Sequence, residues 1–313
     1  MGRVSPSRRA AVDRLAPWRA NVGEALSLDL APVSDPASPI SSLVVLSWNV
    51  WIGRGRLSDL VGRIRPGPEA ALVILLQEAY RTDHSVPARS SGRAGRDHLT
   101  RARPQEDVAD AARRLGLNLR YVPSMRNGGE RSDRGNAILS TLPLESTAAV
   151  ELPLVLQRRV AVAASVALAG RRIRLVSAHL DPRGPPGHKW LGAAGRGRQT
   201  QHLLDHLEDD LVVLGADLNL GRGRAERSWR LLKEAGFTFG VPQTLPAWRH
   251  TFHALPRLVL DYLLVRDRAG AVAQVDVERL DEDPSDRGPT VFGSDHHPLL
   301  GRVALRPADR GPT

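Results

Sequence analysis

Five apolar runs in this chain each end in a carboxylate, an amide or an imidazole, and no other feature limits the fold as much. They are LVVLSWNV (43–50), ALVILLQE (71–78), RRIRLVSAHLD (171–181), DDLVVLGADLN (209–219) and RLVLDY (257–262). Short runs of β-branched and aliphatic residues bounded by turn formers read as buried strands. The polar group at each end must then emerge at a sheet edge, because a carboxylate left unpaired in a core is costly. A further polar cluster, Ser294-Asp295-His296-His297-Pro298, stands near the C-terminus. If these edges coincide they make one site. It would offer Glu78, Asp217, Asp261 and Asp295 to an oxygen-seeking cation, Asn49 and Asn219 as neutral donors, and His179 and His296 for proton transfer.

At 313 residues the chain can bury a sizeable core. No composition break divides Asn49 from His296, which favours one catalytic unit. Cysteine is absent, excluding disulfides and thiolate metal sites. The first forty residues hold no continuous apolar segment, and no run elsewhere is long enough for a membrane-spanning helix. The expectation is a cytoplasmic protein without stable membrane association, its oligomeric state open.

The formal charge is +10, carried almost wholly by arginine, since Lys189 and Lys233 are the only lysines. The excess concentrates in three stretches, 81–103, 183–198 and 222–230, each following one of the polar strand ends. Positive charge around a carboxylate-rich site suits a polyanionic, phosphate-bearing substrate. Phe and Tyr are scarce, so base stacking has little support. Trp190, Trp229 and Trp248 are more economically used in packing, and one of Trp48 and Trp51 can wall the site beside Asn49.

An amphipathic helix is expected around 12–28 and a Pro/Ser-rich linker over 31–42. Further helices are expected at 105–115, 199–207 and 228–235. Strands are expected at 118–122, 134–140, 160–168, 172–178, 212–214, 258–265 and 300–305, with 160–178 forming a hairpin turned at Ala169-Gly170. Strands and helices mixed without regular βαβ alternation favour stacked sheets flanked by helices over a Rossmann fold. No Walker A or G-x-G-x-x-G segment stands between a strand and a helix.

In order along the chain, S-W-N (Asn49), L-Q-E (Glu78), R-G-N-A-I-L-S (Asn136), S-A-H-L (His179), G-A-D-L-N (Asp217, Asn219), L-D-Y (Asp261) and S-D-H-H-P-L (Asp295, His296) resemble the endonuclease/exonuclease/phosphatase superfamily. The resemblance implies a DNase I-like four-layer α/β/β/α sandwich, two mixed sheets packed face to face with helices outside. It also implies a hydrolase of phosphoric esters that uses Mg²⁺ or Mn²⁺. Residues 43–307 would form the catalytic domain, behind an extension and linker at 1–42 and ahead of a tail at 308–313.

Mg²⁺ takes hard oxygen ligands and keeps several waters, so Glu78 is the first expected ligand, with Asn49 and Asp295 beside it. His296, oriented by Asp261, and Asp217 are the candidates for activating water, and the sequence leaves open which takes the proton. Asn219 and His179 would donate to phosphoryl oxygens, while Asn49, Arg134, Asn136 and Asn219 would contact substrate. The G-N-A segment lacks the preceding tyrosine common in abasic-site nucleases, which argues against that specialisation. The leading function is a nuclease acting by in-line water attack. The alternatives are a phosphomonoesterase or lipid phosphodiesterase, or an inactive binding module. His202 and His206 read as a surface helix, Asp181 as a turn residue and His297 as structural. His84, His98, His250 and His253 carry no pattern.

Overall fold

The apolar runs become the middle strands of two sheets. The computed structural model describes residues 13–31, 40–64, 66–90, 104–128, 131–182, 191–239, 250–283, 285 and 287–307. One sheet has the order β1 (Leu26–Leu28), β4 (Asn118–Arg126), β5 (Ser132–Ser140), β3 (Ala70–Thr82), β2 (Ser42–Asn49), β13 (Leu299–Leu305) and β12 (Val272–Arg279). The other runs β10 (Phe237–Phe239), β11 (Asp261–Asp267), β9 (Leu211–Asp217), β8 (Arg171–His179), β7 (Val160–Leu168) and β6 (Glu145–Glu151). The helices are α1 (Ala16–Arg19), α2 (Leu57–Arg63), α3 (Val108–Leu115), α4 (Leu191–Leu204) and α5 (Arg227–Glu234).

Three apolar layers separate these elements. Leu43, Val45, Val73 and Leu75 meet Val162, Leu175, Val213 and Leu263 between the sheets. The alternate residues Val44, Leu46 and Ile74 turn outward under Leu60 of α2 and Ala111 of α3. Val176, Leu214 and Leu264 do the same beneath Leu203 of α4 and Leu232 of α5. Strands covered on both faces need apolar residues at every position, which is why these runs are continuous and not alternating. The architecture is the DNase I-like α/β sandwich that the motifs imply.

A polar layer pins the sheets together just below their shared edge. Gln77 Nε2 donates to Ser177 Oγ at 3.1 Å and to the Gly215 carbonyl at 3.2 Å, and Ser177 Oγ donates to the Leu76 carbonyl at 2.7 Å. Gly215 has no side chain because a Cβ there would lie 2.5 Å from Ser47 Oγ and 2.9 Å from Leu75.

Several elements differ from the sequence expectation. In place of a helix over 12–28 there is one turn, α1, then β1 on the edge of β4. Pro17 opens that turn, and Asn21 Nδ2 bonds back to the Pro17 carbonyl and ends it. Helix α4 begins earlier than its apolar spacing suggests. Strand β9 stops at Asp217, and Asn219 stands beyond it in a left-handed turn with φ of 50°. The 160–178 hairpin turns at Ala169 and Gly170, both at positive φ, where that turn was expected. The linker expected at 31–42 and the tail at 308–313 fall largely or wholly outside the described residues, as do Lys189, Trp190, Trp248 and His98.

Candidate active site

Topology explains how residues so distant in sequence meet. Strands β2 and β3 are parallel, so Asn49 and Glu78 leave the same end of their sheet. Strands β8 and β9 are also parallel and put His179 opposite Asp217. Strand β11 runs antiparallel to β9 and begins where β9 ends, so Asp261 pairs with Asp217. Strand β13 is antiparallel to β2 and brings Asp295 and His296, which precede it, to the same edge.

Asp217 lies at the centre. Asn49 Nδ2 donates to its Oδ2 at 3.0 Å, and the Asn219 backbone amide donates to its Oδ1 at 3.0 Å. His179 Nε2 is 3.2 Å from Oδ2. His179 Nδ1 sits 3.0 Å from the Arg159 guanidinium, which only donates, so the ring proton belongs on Nε2 and faces Asp217. Burial, followed by the charges of Arg159, His296 and Arg134, holds the His179 pKa well below the ordinary imidazole value. Burial and the nearby Asp261 carboxylate push the Asp217 carboxyl up to about 7, against His296, Asn49 and Arg159.

His296 is set the opposite way. Its burial disfavours charge, yet its Nδ1 lies 2.8 Å from Asp261 Oδ2, and Asp261, Asp217 and Asp295 lift it to about 10. Its backbone is fixed by the Trp48 indole, which donates to the His296 carbonyl at 2.9 Å, and by the Ser294 hydroxyl, which accepts from its amide at 3.1 Å. Trp48 is therefore wholly buried and not a wall of the cleft. Asp261 is held in turn by Thr251, whose hydroxyl accepts its backbone amide at 2.9 Å.

Glu78 departs from its strand at a bulge between Leu76 and Ala79, at φ of 54°, and its carboxylate stays partly exposed 4.0 Å from His179 Nδ1. A bulge re-aims one side chain out of the pleat. Asp295 lies alongside; burial, then the Glu78 charge, raise its carboxyl to about 6 against the pull of His296. Asp295 Oδ1 is buried with no hydrogen-bond partner and stands 3.9 Å from His296 Nε2. An acidic pair with an unsatisfied buried oxygen is a donor set that suits a hard divalent cation. Asp217, Asp261 and His296 also offer atoms within 4.8 Å of one another.

The remaining expected residues are engaged elsewhere. Asn136 Nδ2 donates to the Val160 carbonyl at 2.6 Å, bridging the sheets. Asn219 Nδ2 donates to the Leu180 carbonyl at 3.0 Å. Arg134 is buried with its guanidinium 3.0 Å from Asn127 Oδ1. Asn49 Oδ1 accepts the Trp51 amide at 3.0 Å.

The sequence singles out neither Arg159 nor Thr251, names Ser294 without a role, and reads Asp181 as a turn residue. Asp181 is fully buried, accepts from the Leu156 amide and Gln199 Nε2, and faces Arg159 at 3.4 Å. The only signal for it was its place two residues after His179. The basic stretches are less available than their charge suggests. Arg81 is locked to Asp133 and Arg196 to Glu226, both buried, so part of the excess is structural.

The chain belongs to the endonuclease/exonuclease/phosphatase family, whose model matches residues 46–296. It is accordingly a phosphoesterase, a hydrolase acting on phosphoester bonds. No curated protein matches by sequence. Among solved structures, the human Nocturnin catalytic domain with bound sulfate anion is 17% identical with a TM-score of 0.57, over 91% of this chain and 98% of that one. SmcL is 16% identical with a TM-score of 0.57, over 84% and 99%. D. rerio TDP2 complexed with a single-strand DNA product is 15% identical with a TM-score of 0.53, again over 84% and 99%. At such identities the likeness is one of fold.

Proposed function

We propose that residues 43–307 form a divalent-metal-dependent phosphodiesterase that cleaves nucleic acid by in-line attack of water. The observation that carries this reading is one buried edge holding two groups that are both shifted upward, Asp217 with a carboxyl near neutrality and His296 held as imidazolium by Asp261. A base is most effective when its pKa lies near the working pH, which fits Asp217 taking the proton from water. A positive imidazolium suits the charge that develops on phosphoryl oxygens. His179 spends its proton on Asp217 and so orients the base. Asp261 acts through His296, as a positioning residue.

Glu78 and Asp295, with Asn49 nearby, are the residues that would hold Mg²⁺ or Mn²⁺. A cation bound there would neutralise charge on a phosphoryl oxygen and leaving group. Nucleic acid is favoured by the arginine excess and by the likeness to a TDP2 fold seen with a DNA product. Among the described residues no helix is long and apolar enough to cross a membrane.

The test is a panel of plasmid DNA, single-stranded DNA, RNA, p-nitrophenyl phosphate, bis-p-nitrophenyl phosphate and sphingomyelin, each with Mg²⁺ or Mn²⁺ and with EDTA. Cleavage of nucleic acid and of the diester is expected, abolished by EDTA and falling steeply with salt on DNA. Asp217→Ala and His296→Ala should each lose about 10²- to 10⁴-fold in rate while staying folded. Turnover of only monoesters or lipid would replace the nuclease reading.

A further inference from the structure

Behind the His296–Asp261 pair, three imidazoles that the proposed reaction does not use meet in the interior. His250, His253 and His297 are all buried, and one ring nitrogen of each lies within 4.8 Å of the others. Hydrogen bonding fixes the protons of two of them. His253 Nε2 is 2.6 Å from the Gly288 carbonyl, which only accepts, so Nε2 carries a proton and Nδ1 is the atom turned to the cluster. His297 Nδ1 is 2.9 Å from Asp281 Oδ1 and 3.3 Å from the Leu280 carbonyl, again acceptors, so Nδ1 carries a proton and Nε2 is the atom turned to the cluster. His253 Nδ1 and His297 Nε2 face each other at 3.3 Å, close enough to share one proton in a hydrogen bond or, with that proton gone, to ligate one cation.

The spacing points to which cation. Zinc binds imidazole nitrogen at about 2.0–2.1 Å with tetrahedral angles, which puts neighbouring ligand nitrogens about 3.3 Å apart. We propose that His250, His253 and His297 form a binding site for a divalent transition metal of the zinc class, separate from the oxygen-lined edge at Glu78 and Asp295. Imidazole donors suit zinc, nickel or copper, whereas magnesium takes oxygen. Asp281 supplies the carboxylate that metal-binding histidines use to fix their other ring nitrogen. Arg279 secures both sides, donating to the His250 carbonyl at 2.6 Å and lying 2.7 Å from Asp281 Oδ1.

The metal would tie two segments that carry the reaction. Thr251, between His250 and His253, anchors the Asp261 amide and accepts the His297 amide at 2.8 Å. Phe252 packs on His296 at 5.0 Å between ring centroids, and the His253 amide donates to the Asp295 carbonyl at 2.7 Å. Closing the cluster on an ion therefore holds His296, Asp261 and Asp295 in register. The inference concerns a structural ion and does not depend on which phosphoester is cleaved.

The experiment uses the full chain, free of any histidine tag, with metal content measured by plasma mass spectrometry. Zinc binding and thermal unfolding are then followed after EDTA treatment, and Co²⁺ serves as a visible probe of tetrahedral nitrogen ligation. The wild-type chain is expected to hold about one equivalent of zinc and to gain thermal stability from it. It should also show the intense visible band of tetrahedral Co²⁺. Asp217→Asn should keep the zinc, and His253→Asn should lose both zinc and the zinc-dependent rise in melting temperature. Asp281→Asn should weaken zinc affinity about 10- to 100-fold. Undiminished zinc in folded His253→Asn overturns the proposal, as does an EDTA-treated wild type that neither binds Co²⁺ tetrahedrally nor responds to zinc. In that case the cluster holds only a shared proton. Should His253→Asn fail to fold, unchanged zinc affinity in Asp281→Asn overturns the proposal equally.

Discussion

His179 and His296 are the same side chain at the same end of the sandwich, one from each sheet, and their surroundings give them opposite charge. Burial and then Arg159, which donates into it, keep His179 neutral, whereas Asp261 accepts from His296 and keeps it positive. If Asp217 is the base and His296 the electrostatic partner, kcat/KM rises with pH as Asp217 loses its proton near about 7. It then falls as His296 loses its own near about 10. Removing the Asp261 charge in Asp261→Asn should pull the falling limb down toward the ordinary imidazole value, and the rising limb down as well, because Asp261 also raises the Asp217 carboxyl. A pH–rate profile that keeps its upper limb unmoved in that variant would exclude the pair from the reaction. His179, Asp217 and Asp261 were legible in the sequence because each closes an apolar run, and His296 because it stands in the polar cluster Ser294-Asp295-His296-His297. Arg159 was not, since nothing distinguishes it from Arg158 beside it, which serves Glu151 and backbone carbonyls. The His250 and His253 cluster was equally hidden, its third member and its carboxylate lying 44 and 28 residues further on.

At the level of elements, the two-faced strands were readable and the half-exposed ones were not. Strand β6, ESTAAVE, is open to solvent over most of its length, and β12 carries Gln274, Asp276 and Glu278. Neither shows an apolar run, because edge strands bury little and gain their register from a neighbour. Helix α4 was underestimated for another reason. Gly192, Gly195 and Gly197 argue against helix by propensity, yet a Cβ on Gly195 would come within 2.6 Å of Val155. Close packing there outweighs the conformational cost. Gly135 marks a tighter limit, for a Cβ would lie 1.9 Å from the Val122 carbonyl oxygen on the neighbouring strand. Gly135→Ala should therefore destabilise the fold by about 3 kcal/mol or more, as overpacking against backbone does. Gly221→Ala, with open space around it, should stay within about 0.5 kcal/mol of wild type. Urea unfolding of both variants compares them, and equal midpoints would mean that the strands separate freely at Gly135.

Across the whole molecule, arginine has structural roles that the net charge conceals. Arg81, Arg126 and Arg266 rank among the largest fully buried side chains, each with its guanidinium on carboxylate or carbonyl oxygens. The clearest hub is Asp133, fully buried in β5. Arg81 donates to it at 2.7 and 3.1 Å, the Tyr121 hydroxyl at 2.8 Å and the Gly23 amide at 2.8 Å. Arg81 also donates to the Glu24 carbonyl at 2.7 Å, so this pair fastens the segment leading to β1 onto the sheet. A buried pair contributes little net stability when intact, because burial of both charges offsets their attraction, but breaking it strands one charge. Asp133→Ala should thus cost about 3–5 kcal/mol. The double variant Arg81→Met/Asp133→Ala should recover part of that loss, since no unpaired guanidinium remains. A double-mutant cycle in urea measures the coupling. If the single variant loses less than about 1 kcal/mol, or the double is no better than the single, Arg81 reaches solvent when Asp133 is gone. The extension would then be only loosely attached to the catalytic sandwich.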